Sequence, residues 1–524
     1  MPVASPDLCS LSLSPAVPAF RSTQHRGESP QPPTLVDVAG KHLYFIGVGG
    51  SGMSGLAQML AKRGAIVAGS DKETSAVTAA LEAMDIAVSL DQQFGTLPAA
   101  CDIVIASAAI KHDHPQILTA QSRGVPLMSY AQALGQTMRG STGLAVAGTH
   151  GKSTTTAMLG CALVDARLDP SVIVGATCPQ LSDGSLAPRT APVGFRCGSS
   201  RVPAGLLSGA PGLLVAEACE YNRSFHHFYP TLACINNIEA DHLDVYGTLD
   251  QVVASFREFA GLLPSAEEGG KLLIGHDGAH RREVTSGLKC EVHSIGFHPG
   301  ADWCVAYDAR TREVLVTHEG LVAGSWINTL AGAHNASNAA NAFVLGLWAG
   351  ADPTLLAASL SKFAGADRRM QFMGQRMLPA SQGGGKVRVF DDYGHHPTEI
   401  EVTLRAFRES EAPHHRDGRL IVVFQPHQHS RTRHLLEEFA ASFENADLVL
   451  VPHIYFVRDS EEERQRVAAG DLVDRLRAKG INAMHLYPFE AITQHLLAAA
   501  RDGDVVVVMG AGDVWRIGKD YLAA

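Results

Sequence analysis

Apolar runs of strand length recur along the chain, each followed by a stretch whose apolar positions fall at helical spacing. Residues 41–47 (KHLYFIG) end in glycine and lead into the helix-compatible MSGLAQMLAKRG and then the strand-like AIVAGSD, a β-α-β pattern. Further strands are predicted at 102–106 (DIVIA) and near 125–128. A second unit opens with 143–147 (GLAVA), a buried-strand signal, followed by the helix-like KSTTTAMLGCALVDA and by strands predicted at 212–216 and 232–236. A third set follows Lys386, where VRVF, RLIVVF, LVLV and DVVVVMG alternate with helical stretches. Three successive α/β units predict doubly wound sheets, whose ligands sit at the carboxyl ends of the strands.

Two stretches break the pattern. Residues 1–36, rich in Ser and Pro, lack a continuous apolar run after a basic start and read as a disordered tail rather than a signal peptide. Residues 179–211, dense in Gly, Ser and Pro, read as a long exposed loop inserted in the middle unit. At 524 residues the chain is too long for one ordinary core, and 46 % hydrophobic with 18 % charged residues fits a folded enzyme rather than a disordered chain. A net charge of -10 disfavours nonspecific binding to nucleic acid, so any anionic ligand must be held by helix N-termini, single Lys or Arg residues, or a metal. Nine cysteines without a CxxC pair indicate a reducing compartment, and no apolar run reaches membrane-spanning length, so a cytoplasmic protein with no membrane partner is expected.

Gly47-Val48-Gly49-Gly50-Ser51-Gly52 satisfies GxGxxG between a strand and a helix, and Asp71 follows the next strand, about where a ribose-binding acid would sit. Glycines let the backbone approach a pyrophosphate at a helix N-terminus. Taken alone, the loop reads as that of an NAD-dependent oxidoreductase, and a tight turn made for packing is the bland alternative. Gly148-Thr149-His150-Gly151-Lys152-Ser153 also follows an apolar strand and opens a helix. Its lysine can reach terminal phosphates and its serine hydroxyl can ligate magnesium, although Val146 stands where GxxxxGK[ST] has its first glycine. Two such loops in consecutive units predict two nucleotide-bearing ligands, whereas a dehydrogenase needs one.

The shortened loop GTHGKSTTT resembles the ATP loop of the Mur ligases, and the resemblance continues in order along the chain. It runs through IGVGGSGMSGLA (46–57), ASAAIKHDHP (106–115), NNIEADHLD (236–244) and GAHNASNAANA (332–342). DDYGHHPTEIEVTLRAF (391–407), FQPHQHSRTR (424–433) and MGAGDV (509–514) complete it, so coverage extends from Lys41 to the C-terminus apart from the Gly/Ser/Pro loop. DDYGHHPTEI beside GVGGSGMS is similar to the branch of the family that adds L-alanine. The resemblance implies an α/β protein of three domains. These are a Rossmann-like N-terminal domain that receives the UDP-sugar (37–141), a central P-loop ATPase-like domain (142–363) and a Rossmann-like C-terminal domain that receives the amino acid (364–524). It further implies ATP-dependent ligation of L-alanine to UDP-N-acetylmuramate through an acyl phosphate, with Mg2+ as cofactor and a monomer or weak homodimer as the working form. A recycling ligase that adds a whole peptide to the same sugar is the near alternative.

Residue roles implied by the resemblance follow the motifs. Gly47, Gly49, Gly50, Ser51, Gly52, Met53, Ser54, Asp71 and Ser107 fall to the UDP-sugar. Gly148, Thr149, His150, Gly151, Lys152, Ser153 and Thr154, with His334, Asn338 and Arg369, fall to ATP. Lys152 is expected to stabilise the transferring phosphoryl group, Ser153 and Glu217 to hold one magnesium, and His242 to ligate a second. The bland readings are a strand-capping acid for Glu217, a polar loop histidine for His242, helix capping for His334 and Asn338, and an exposed hinge arginine for Arg369. Tyr393, His395, His427, Arg431 and Arg433 should face the alanine and the acyl phosphate. Relatives often show PHRYSRT where this chain has Pro426-His427-Gln428-His429-Ser430-Arg431-Thr432. Gln428 cannot supply a guanidinium, so that role falls to Arg431 or Arg433, or a different small amino acid is accepted.

Overall fold

Three sheets follow one another along the chain, each built around strands that are apolar at nearly every position. The computed structural model describes residues 34–181, 194–457 and 459–524, so the readings of the tail over 1–33 and of the insertion over 182–193 lie outside the described residues. The first sheet has five strands in the order Ala87–Ser89, Ile66–Ser70, His42–Ile46, Ile103–Ala106, Leu127–Ser129, all parallel. Its central strand His42–Ile46 is buried after its first residue, as expected where helices cover both faces of a parallel sheet.

Ten strands form the second sheet. Thr142–Ala147 lies at its centre, parallel to Leu232–Ile235 on one side and to Leu213–Glu217 on the other. Long apolar runs do not reveal its far edge, the antiparallel meander Trp303–Asp308, Glu313–His318, Leu321–Ile327. Those strands are half-exposed, so buried and exposed side chains alternate instead of forming a run. At the opposite edge Phe195–Arg196 pairs antiparallel with Ser171–Ile173. Phe195 is buried, and a Cβ on Gly55 of the first unit's opening helix would lie 3.1 Å from it. Asp169 binds the Arg196 guanidinium at 2.6 Å and the Ser199 hydroxyl. This part of the 179–211 stretch is therefore a sheet edge fastened to its neighbours and not a free surface loop.

Six strands make the third sheet, ordered Gln371–Met377, Lys386–Asp392, Val505–Met509, Leu420–Phe424, Leu448–Val451, Ala483–His485, with only the first antiparallel to its neighbour. Among the described residues, no helix is long and apolar enough to cross a membrane. The carboxyl ends of Thr142–Ala147, Leu232–Ile235, Lys386–Asp392 and Leu420–Phe424 feed the segments 148–151, 236–242, 393–396 and 425–428, and these polar segments meet.

Candidate active site

The first glycine loop closes on its own unit. Gly47 turns with φ +79°, and its N–H and that of Val48 both donate to Ser70 O, at 2.8 and 3.0 Å. Gly49 N–H donates to Asp71 Oδ2 at 2.7 Å, so Asp71 spends its carboxylate on the loop itself. A Cβ on Gly49 would lie 2.8 Å from that oxygen, and one on Gly52 2.6 Å from the Tyr130 hydroxyl, which explains both glycines by close approach. Ser107 packs under Gly47, and Met53 and Ser54 are buried in the first helical turn.

The second loop is held from outside. Gly151, with φ +79°, starts the helix Lys152–Asp165, and Gly148 is left-handed at φ +133°. Asn237, at the end of the neighbouring strand, accepts from Thr149 N–H with its carbonyl at 3.0 Å and from His150 N–H with its side-chain oxygen at 2.8 Å. A Cβ on Gly151 would lie 2.3 Å from Asn338 Oδ1, which itself accepts from the Thr155 hydroxyl. The N-terminal turn of this helix, including Thr154, presents amides suited to phosphate oxygens. Beside it a cavity of about 150 Å³ is lined by Gly151, Thr154, His334, Asn338, Arg369 and Glu399. Burial pushes the His334 imidazole down to about 4, so it stands neutral there.

Lys152 donates to Gly148 O at 2.6 Å and Thr149 O at 2.9 Å, and pairs with Glu220 Oε2 at 2.8 Å. Burial opposes its charge, but Glu220, with Cys219 and Glu217 nearby, outweighs this and holds the ammonium well above the ordinary lysine range. Ser153 Oγ donates to Glu217 Oε1 at 3.0 Å, and Glu217 Oε2 accepts from Gly175 N–H at 2.8 Å. Glu220, Asp241 and His242 form a second group whose ligating atoms lie within 4.8 Å of one another. His242 sits in the left-handed region at φ 54°, and burial, its largest influence, keeps its ring below the ordinary histidine range. The three expected metal residues thus divide into a Ser153–Glu217 pair and a His242 group. Both sets are rich in oxygen and fit hard divalent ions, with neutral His242 offering a lone pair.

The third unit closes over these loops. Arg431 is buried and binds Asp241 Oδ1 through Nη2 at 2.9 Å and Nε at 3.2 Å, an anchor that holds the Asp241 carboxyl far below the usual range despite burial. His396 caps the helix Pro397–Glu411 through Nδ1 and approaches Ala240 O with Nε2 at 3.2 Å. The Thr398 hydroxyl donates to Glu239 Oε2 at 2.6 Å. Tyr393, His395, His427 and Tyr455 form a row of rings, with centroids 5.3, 5.9 and 5.6 Å apart in turn, and Arg369 lies over Tyr393 at 5.0 Å. Burial pushes His395 down to about 4. Arg433 does not join them: it pairs with Glu463 at 3.0 Å on the outer side of its short helix, because two residues of helical advance turn it away from Arg431.

Five residues escaped the motif reading, Asp241 among them. Glu220, Asn237, Glu239, Asp241 and Glu399 act through contacts at large sequence separation, and the one available signal was their place inside or beside the quoted motifs.

Family models cover most of the chain: "Mur ligase family, catalytic domain" over 42–142, "Mur ligase middle domain" over 146–346, and "Mur ligase, glutamate ligase domain" over 368–512. The chain belongs to the Mur ligase family. Similar family members include the UDP-N-acetylmuramate--L-alanine ligases of Agathobacter rectalis and Desulfitobacterium hafniense, each 35 % identical. These alignments span 92 % of this chain and 97 % and 99 % of those proteins. Among solved Mur ligases, the UDP-N-acetylmuramate-alanine ligase of Thermotoga maritima matches with TM-score 0.71 at 23 % identity, covering 92 % of this chain and 98 % of that one. A murein peptide ligase from Psychrobacter arcticus 273-4 matches with TM-score 0.66 at 25 % identity and the same coverage. Both structures share the three-unit α/β architecture described above.

Proposed function

We propose that this Mur ligase joins L-alanine to the lactoyl carboxylate of UDP-N-acetylmuramate, with ATP converted to ADP and phosphate through an acyl phosphate. The observation that carries this reading is the end-to-end likeness, at 35 % identity, to relatives that bear this activity's name. Two glycine loops in separate units support it, one for each nucleotide-bearing substrate. Hydride transfer leaves the second loop without a task, and the peptide-adding alternative is represented by the Psychrobacter arcticus 273-4 structure at 25 % identity, against 35 % for the alanine-adding relatives.

Phosphoryl transfer needs positioning and charge stabilisation more than covalent help. Lys152, charged and held at the mouth of the loop, would stabilise the γ-phosphoryl group as it moves to the lactoyl carboxylate. His334, Asn338 and Arg369 would border the nucleotide in the adjoining cavity. Magnesium, when bound, neutralises the repulsion between nucleotide and carboxylate; Ser153 and Glu217 would hold one ion, and Glu220, Asp241 and His242 another. Arg431, whose Nη2 and Nε hold Asp241, would offer its remaining Nη1 to the amino acid's carboxylate, with Tyr393 and His427 in the same ring row. His395 is neutral and weakly basic, which suits a hydrogen-bond partner and argues against its taking the amine proton. The first loop, held in shape by Asp71, would seat the UDP-sugar.

A coupled ADP-release assay with UDP-N-acetylmuramate, magnesium and each small amino acid tests the reading. Alanine is expected to give the highest kcat/KM. No alanine-dependent ADP release would sink the proposal, and a preference for glycine or serine would redirect it to the segment around Gln428.

A further inference from the structure

The sequence reading assigns His150 to the nucleotide through its place in the loop, yet its ring turns elsewhere. Nε2 lies 3.4 Å from Glu239 Oε2 in the central unit, and Nδ1 lies 3.3 Å from Glu399 Oε1 on the first turn of Pro397–Glu411 in the third. The ring is largely buried, at 12 % side-chain exposure, and neither approach has hydrogen-bond geometry, so the attraction is between charges. A half-exposed carboxylate, Glu239, and a largely covered one, Glu399, flank the one ring, and without a cation between them they would repel.

Every group facing the ring is identifiable. Besides Glu239 and Glu399 there is His396, whose ring centroid lies 4.6 Å away. His396 accepts from Thr398 N–H at Nδ1 and faces Ala240 O at Nε2, so both its nitrogens are engaged and it stays neutral. His150, Glu239 and His396 could in principle surround a metal, but those commitments leave His396 no lone pair to give. Arg369 and His395 face Glu399 from behind. Burial pushes the His150 proton off, but the two carboxylates outweigh it and raise the imidazole to about 9.

We propose that His150 is a positioning residue that clasps the phosphate loop to the third unit: a cationic bridge between Glu239 and Glu399 that sets the closed arrangement in which the amino acid meets the activated carboxylate. The clasp deepens the ligase reading and rests on it only for the catalytic readout. Because the closed form raises the ring's affinity for a proton, the bridge is at full strength below the ordinary histidine pKa of about 6.5. It is lost as pH rises through about 9.

The test uses the full chain as wild type, His150→Asn, Glu399→Gln and the double variant. Gln at 399 keeps an oxygen to accept from His395 and His396 N–H, as Glu399 Oε2 does at 2.9 and 3.2 Å, while removing the charge. Small-angle X-ray scattering at pH 7.5 is expected to show wild type more compact than His150→Asn, with the difference vanishing as pH rises through about 9 and vanishing at lower pH in Glu399→Gln. In the coupled assay, both single variants should raise the KM for alanine by about tenfold and move the Kd for ATP by less than about threefold, and the double variant should match His150→Asn rather than multiply the losses. Equal compactness of wild type and His150→Asn at pH 7.5 overturns the clasp, as do multiplicative losses. Loss of ATP binding equal to the rise in KM assigns His150 to the nucleotide and also overturns it. If wild type releases no ADP with alanine, the ligase reading fails while scattering still decides the clasp.

Discussion

The loop at 47–52 and the loop at 148–154 share a strand, a glycine turn and a helix N-terminus, yet they are held differently. The first is tied by Ser70 and Asp71 of the adjacent strand and its end, inside one sheet. The second is tied by Asn237, pressed by Asn338 from the helix Ala333–Trp348, charge-paired with Glu220, and linked through His150 to the third unit. A loop held by its own sheet can bind its ligand independently of the other units. A loop held by four other segments reports its occupancy to all of them, which is what a reaction among three substrates requires.

Substitutions can break this contrast. Lys152→Ala is expected to lower ADP release by about 10²–10³-fold or more, since it removes the charge aimed at the transferring group. UDP-sugar affinity measured by calorimetry should stay within about twofold; a parallel loss would mean that the two loops are not independent. Gly151→Ala places a methyl against Asn338 Oδ1 at a left-handed residue and should cost about 1–3 kcal/mol in urea unfolding, with part recovered by adding Asn338→Ala. Asp71→Ala loses the acceptor for Gly49 N–H and should cost about 1 kcal/mol, without effect on ATP binding. Gly50→Ala should cost under about 0.5 kcal/mol, because φ is -62° and the nearest atom to a new Cβ is 3.6 Å away. Equal costs at Gly50 and Gly151 would erase the difference between the loops.

Much of the architecture was legible because parallel strands buried on both faces print as continuous apolar runs, as in LLVAE and VVVVM. The meander 303–327 was not, since its half-exposed strands leave no such run. Within the site, motifs of adjacent residues were readable: Lys152 and Ser153 belong to one turn, and Glu217 ends a strand that register sets beside them. Glu220 was harder to see, for it lies three residues beyond the end of that strand in an irregular segment, and only the fold returns it to Lys152. Asn237 and Glu399 are ordinary polar residues until two sheets bring them to the same loop. Arg431 and Arg433 were indistinguishable by composition, and helical rotation alone separates the one on Asp241 from the one on Glu463.

The Lys152–Glu220 contact carries a further consequence. A phosphate arriving at the loop meets a lysine already neutralised, so nucleotide entry is an exchange of one counter-anion for another rather than a capture of charge. Such an exchange leaves the net charge at Lys152 nearly constant and should make ATP affinity only weakly dependent on ionic strength. It would also release the Glu220 carboxylate beside Asp241 and His242 once the nucleotide is seated. The proposed second cation position would therefore gain Glu220 as a ligand only after the nucleotide is in place, and the order of assembly would be written into a single ion pair.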